Sequence, residues 1–178
     1  MGPAYEIEVH PRGRARIIET SLRAGMVAAI VEMIPVLSVQ VLLLGVSPIR
    51  VFQGIASGLL GRAAYWGGPA TALLGAGLHV LISILAAAVF VAAATTWPSL
   101  ARRSVAAGLA FGVACWFVMS YVVVPLSAAA FPPATNPILI AVSLSVHMFA
   151  FGLPIALVCR RAMAAADRPL DRWRPARS

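Results

Sequence analysis

Four long stretches of this chain carry almost no charge, and that property decides what it can fold into. A bilayer core about 30 Å thick is crossed by about 20 helical residues rising 1.5 Å each. Four windows reach that length, at 24–45, 70–95, 104–126 and 137–159. With 61% hydrophobic and 11% charged residues, a water-exposed fold lacks the polar surface to cover its core. In lipid every backbone N–H and C=O must find its partner within the segment, so such windows become helices. The expected fold is all-α: a polytopic membrane protein, a four-transmembrane-helix antiparallel bundle over 24–159. An Arg-rich segment, 1–23, precedes it and an Arg-rich tail, 160–178, follows.

Orientation follows from the arginines, which supply all 14 basic residues. Arg12, Arg14, Arg16 and Arg23 precede the first window, Arg102 and Arg103 join the second to the third, and six more follow the fourth. Only Arg50 and Arg62 fall on the opposite face. The positive-inside rule then puts both termini in the cytoplasm, in a cell inner membrane. The net charge of +8 would suggest nucleic acid in a soluble protein. Here the same clusters meet anionic headgroups, at about 1 kcal/mol per residue near the surface. The expected partner is the lipid bilayer, with no nucleic acid. Cys115 and Cys159 fall at different depths and are expected as small core residues without a disulfide.

The connection after the first window is itself helical. Ser47 followed by Pro48 is a helix-start pair, and the run 47–61 then divides into two faces. Arg50, Gln53 and Ser57 form a polar face, and Phe52, Ile55 and Leu59 an apolar one. This segment is expected as a short interfacial helix on the outer leaflet, its polar face at the membrane surface. A re-entrant hairpin, with Gly54, Gly58 and Gly61 permitting close backbone approach, is the alternative.

Small residues show how the bundle closes. Gly108 and Gly112 make a G-x-x-x-G, Gly54 and Gly58 another, and Gly75 lies on one face with Thr71, His79 and Ser83. Helices in lipid associate through such faces and through side-chain hydrogen bonds. They equally suit a homo-oligomer or a subunit of a larger membrane complex. Pro35 and Pro154 should kink the first and fourth spans.

Glu32, His79 and His147 carry whatever chemistry the chain has, because an ionisable side chain inside a span costs about 3 kcal/mol or more on insertion. Counted from the cytoplasmic window ends, Glu32 lies about 12 Å deep, His147 about 18 Å and His79 about 22 Å, a ladder across the membrane. The trio suits a proton relay in a small proton- or ion-coupled transporter, or simple fastening by hydrogen bonds. It is also a ligand set for zinc or iron, and the two histidines could ligate a b-type haem. No H-x-x-x-H or E-x-x-H pairing supports a metal, so no metal or cofactor is expected. No G-x-S-x-G, H-E-x-x-H, P-loop or dinucleotide fingerprint occurs, so no enzyme activity is expected. The first functional expectation is a structural or accessory membrane component. The transporter and the haem or metal redox protein stand as alternatives.

The blocks Gly45-Val46-Ser47-Pro48-Ile49-Arg50, Gln53 to Gly61 (QGIASGLLG), Gly67 to His79 (GGPATALLGAGLH), Tyr121 to Ser127 (YVVVPLS), and His147 with Gly152 to Ala156 resemble a family of small uncharacterised bacterial four-span inner-membrane proteins. The resemblance spans about residues 24–161. It implies a bacterial inner membrane and one histidine in each of the second and fourth spans. The family is described by topology alone, so it implies no activity.

Overall fold

The computed structural model describes residues 11–129 and 135–166. Expectations that concern 1–10, 130–134 and 167–178 lie outside the described residues. In chain order, α1 (Pro11–Leu37) passes into a π-helical segment (Ser38–Leu43), then come α2 (Pro48–Leu60), a 3-10 turn (Gly61–Trp66), α3 (Gly68–Thr96) and the single turn α4 (Ser99–Arg102). The third span joins α5 (Ser104–Val118), a π segment (Met119–Val123) and α6 (Val124–Leu126). The fourth joins α7 (Pro137–Val146), a π segment (His147–Gly152) and α8 (Leu153–Ala166). Among the described residues four runs are long and apolar enough to cross a membrane, Arg14–Leu43, Gly68–Thr96, Ser104–Leu126 and Pro137–Ala165. The protein is an all-α, four-helix integral membrane protein.

Local chemistry sets the boundaries. Asn136 caps the fourth span, its Oδ1 accepting the N–H of Ile138 at 2.9 Å, and Pro137 occupies the first helical position. Gly61 closes α2 at φ 57°, a left-handed conformation that a side chain disfavours. Trp66 and Trp97 flank α3 and are both exposed, as interfacial aromatics are. Large aliphatic side chains face outward along α1 (Ile18, Leu22, Ile30, Ile34), an arrangement that only a lipid solvent favours.

Of the three π segments among the described residues, two have a proline as their cause. Pro125 and Pro154 offer no N–H to the carbonyls four residues back, Tyr121 and Ala150, and their rings crowd those carbonyls. The preceding turn widens as a result, over Met119–Val123 and His147–Gly152. Pro35 stays within α1, and the π segment of the first span begins three residues after it.

Glycine sets the closest helix contact. A Cβ on Gly112 would fall on the His147 carbonyl oxygen and 2.6 Å from the Met148 Cα. One on Gly108 would lie 2.9 Å from the Gly152 carbonyl oxygen. The third span thus rests its G-x-x-x-G directly on the π turn that begins with His147. The half of the bundle toward Arg14, Thr96 and Ala165 is closed by Ala24, Ala28, Phe90, Val91, Ile155 and Cys159, all buried, with Cys115 packed against them. Both cysteines are free. Arg16 donates to the Ala162 carbonyl at 3.5 Å, so the start of the first span and the end of the fourth lie side by side.

Gly112→Leu should therefore destabilise the bundle by on the order of 3 kcal/mol by overpacking. Gly77→Ala, where no atom lies within 4 Å of the added Cβ, should leave stability unchanged or slightly raised. Thermal unfolding of the two variants in detergent checks this, and equal midpoints would contradict the contact.

Candidate functional site

Glu32, at 7% exposure, lies in α1 and toward the middle of the first membrane-crossing run, Arg14–Leu43. Its two carboxyl oxygens face two imidazoles, with Oε1 3.6 Å from His147 Nε2 and Oε2 3.9 Å from His79 Nε2. The three residues expected as a ladder form a cluster. The reason is the origin of the count, since the helices extend past the apolar windows on the Arg-rich side. Measured from the ends of the membrane-crossing runs, Glu32 is 18 residues from Arg14, His147 is 18 from Ala165 and His79 is 17 from Thr96. The three stand at one level.

Backbone carbonyls orient both rings. A carbonyl only accepts, so a ring nitrogen at hydrogen-bond distance from one must carry the proton. His79 Nε2 lies 3.1 Å from the Ala29 carbonyl oxygen and therefore donates to it. His147 Nδ1 lies 2.9 Å from the Ser143 carbonyl oxygen and donates there. A neutral His147 then turns a bare Nε2 lone pair toward the Glu32 carboxyl. Two lone pairs at 3.6 Å repel, and a single proton on either atom makes the contact attractive. Such a pair can hold one proton between its two atoms. The 3.6 Å gap exceeds a direct hydrogen bond and suits a small side-chain rotation or one bridging water.

A cleft reaches His147, one member of this pair, from the side away from the arginine clusters. Its volume is about 630 Å³, and its walls come from the first, third and fourth spans, from Leu44 and Leu139 near the end of the bundle down to Pro35, Trp116 and His147. Trp116 Nε1 donates to Ser143 Oγ at 3.2 Å, tying the third span to the residue whose carbonyl holds His147. Each span that lines the cleft carries a π segment, and α3, which does not line it, has none. Sequence reasoning missed the cleft. Its signal was the run of Gln40, Ser120 and Ser143 in otherwise aliphatic helices, all in the same half of the membrane.

The polar face of α2 is turned the other way from the expectation. Gln53 and Ser57 are buried at 3% and 0%, and Gln53 Nε2 donates to the Gly68 carbonyl at 3.0 Å. Thr71 Oγ1, 3.4 Å from Gln53 Nε2, donates to the Ala64 carbonyl at 2.7 Å. Ser57 Oγ donates to the Gly54 carbonyl at 2.6 Å. Leu59, on the opposite face, is 63% exposed. Where the surroundings are lipid, an amphipathic helix packs its polar face inward and shows its apolar face to the chains. Arg50 alone stays exposed, its guanidinium carbon 5.4 Å from the Tyr65 ring centroid. Of the packing glycines, Gly75 is in tight contact, its missing Cβ position filled by the Phe52 carbonyl. Gly54 and Gly58 meet Tyr65 and Ser127 at ordinary van der Waals distance.

For a metal the cluster is a poor fit, because the His79 Nε2 is spent on Ala29. Among the described residues no three His, Cys, Asp or Glu converge as ligands. For haem, the Glu32 carboxyl stands between the two Nε2 atoms, in the space a porphyrin would need. No protein-family model, curated protein or solved structure matches the chain.

The carbonyl partners predict opposite tautomers, Nε2–H for His79 and Nδ1–H for a neutral His147. Imidazole 15N shifts of the protein in lipid, assigned by His79→Ala and His147→Ala, check this. Two rings in the same tautomer would contradict the arrangement.

Proposed function

We propose that this protein is a small proton-coupled permease of a bacterial inner membrane, with both termini cytoplasmic, in which Glu32 and His147 hold one exchangeable proton at the inner end of the cleft. The observation that carries the reading is the bare His147 Nε2 facing the Glu32 carboxyl at 3.6 Å. The location is supported by the arginine count and by the resemblance of the Ser47-Pro48-x-Arg50 and Ile55 to Gly61 blocks to bacterial four-span proteins. His79, held on the Ala29 carbonyl, anchors α3 to α1 beside the carboxyl and offers it a second polar neighbour.

Asymmetry about the cluster suits alternating access. One side is packed with buried alanine, phenylalanine and isoleucine, and the other is open down to His147. π turns interrupt the regular ladder in each helix that would have to move, and such turns are frequent at functional sites. The reading as a structural or accessory component drew on the lack of catalytic motifs and on small-residue faces. Gly75, Gly108 and Gly112 are all used in contacts within this chain, which removes their weight for an oligomer.

Proteoliposomes loaded with a pH-sensitive dye and given an inward proton gradient test the proposal. Wild-type protein should accelerate acidification of the lumen, and Glu32→Gln, which keeps the shape and removes the titrating group, should lower that rate at least about tenfold while retaining thermal stability to within about 1 kcal/mol. An unchanged rate in a folded Glu32→Gln protein would sink the proposal.

A further inference from the structure

The cleft has a chemical polarity of its own. Among the described residues that line it there is no Asp, Glu, Lys or Arg, so a charged solute entering it would lose hydration without gaining a counter-ion at the wall. Its body is aliphatic and aromatic, with Val39, Tyr121, Val124 and Leu139 as examples. Gln40 and Ser127 bring polar groups to its outer part, and Ser120, Ser143 and His147 bring them to its deep end with Trp116. A volume of about 630 Å³ is in the range of pockets that enclose a ligand of a few tens of atoms.

At the deep end three groups are left to recognise a ligand: the Ser120 hydroxyl, the Ser143 O–H and the His147 Nε2. Ser143 spends its hydroxyl as acceptor for Trp116 and its carbonyl as acceptor for His147 Nδ1. Of the three groups the His147 Nε2, 3.6 Å from Glu32 Oε1 in a residue that lines the cleft, is the one that only accepts when it carries no proton. We propose that the cleft binds an uncharged amphiphile, an apolar ring or chain bearing a single hydroxyl-type head, with the head donating its hydrogen to His147 Nε2. The inference rests on the proton-holding reading of His147 and names the class of solute that the same site accepts: Nε2 has one lone pair, so the head binds it in the state in which Glu32 and His147 have given up their shared proton. The apolar body then lies along the valine and leucine walls of the first, third and fourth spans, and Trp116 and Tyr121, 5.7 Å apart in an edge-to-face pair, supply an aromatic wall.

The probe is 4-octylphenol, titrated against the protein in lipid nanodiscs, with octylbenzene and octyltrimethylammonium as comparison compounds of the same chain length. The readout is Trp116 emission, assigned by its absence in Trp116→Phe. A saturable change with 4-octylphenol, at least about tenfold weaker with octylbenzene and with His147→Phe, is expected, and no saturable response to the ammonium compound. Equal binding of octylphenol and octylbenzene would reduce the cleft to a lipid-filled groove and overturn the proposal, and this comparison needs no variant to fold. Preference for the ammonium compound would overturn it in favour of a cation site at Glu32. Binding is read without a proton gradient, so a failure here is separate from a failure of Glu32-dependent proton flux in the dye assay.

Discussion

Glu32 brings a carboxyl to the middle of a bundle solvated by lipid, and two imidazoles make that position tolerable. A carboxylate left alone there would cost several kcal/mol, whereas oxygens 3.6 and 3.9 Å from His147 and His79 can share protons and hydrogen bonds. The rest of the architecture keeps that meeting in place. α3 delivers His79 through the Ala29 carbonyl, and the fourth span delivers His147 through the Ser143 carbonyl. The third span fixes the turn beginning at His147 by laying Gly112 against its backbone. A single chain of contacts therefore runs from a G-x-x-x-G to the orientation of an imidazole.

The same packing explains why the two halves of the bundle differ. On the arginine-rich side alanines at 24, 28, 87 and 94 let the helices close around Phe90 and Ile155. On the other side prolines 35 and 125 and the π segments of the first and third spans border a cleft, where side chains of valine and leucine size do not fill the gap. Backbone irregularity is tolerated at membrane depth where it lines a cavity, which is the position of these segments. α2 adds a polar clasp at the same end, with Gln53 reaching the first turn of α3.

Much of this is legible in the residues. The four spans follow from hydropathy alone, and the trio of Glu32, His79 and His147 stands out because the spans contain little else that ionises. Their convergence at one level was hidden because apolar windows end before helices do: Arg14 and Arg16 belong to α1, and α8 runs through Arg160 and Arg161 to Ala166. The two faces of α2 were separable by helical spacing, but which of them turns inward depends on what surrounds the helix, water or lipid, and the spacing is the same in either case. Prolines 125 and 154 were visible as breaks in the hydrogen-bond ladder, yet Pro35 stays inside a regular helix, so the residue type alone did not say which break widens into a π turn, and the close contact of Gly25 with Ile84 arises from how the helices pack.

The central claim is that Glu32 and His147 share one exchangeable proton. Infrared difference spectra of the protein in lipid, recorded across a step from acid to alkaline pH in water and in D2O, test it most directly. The account predicts a carboxyl band that changes with the step, shifts in D2O, disappears in Glu32→Gln and moves in His147→Gln. A Glu32 band that stays the same across the step, or that is indifferent to His147, would contradict it.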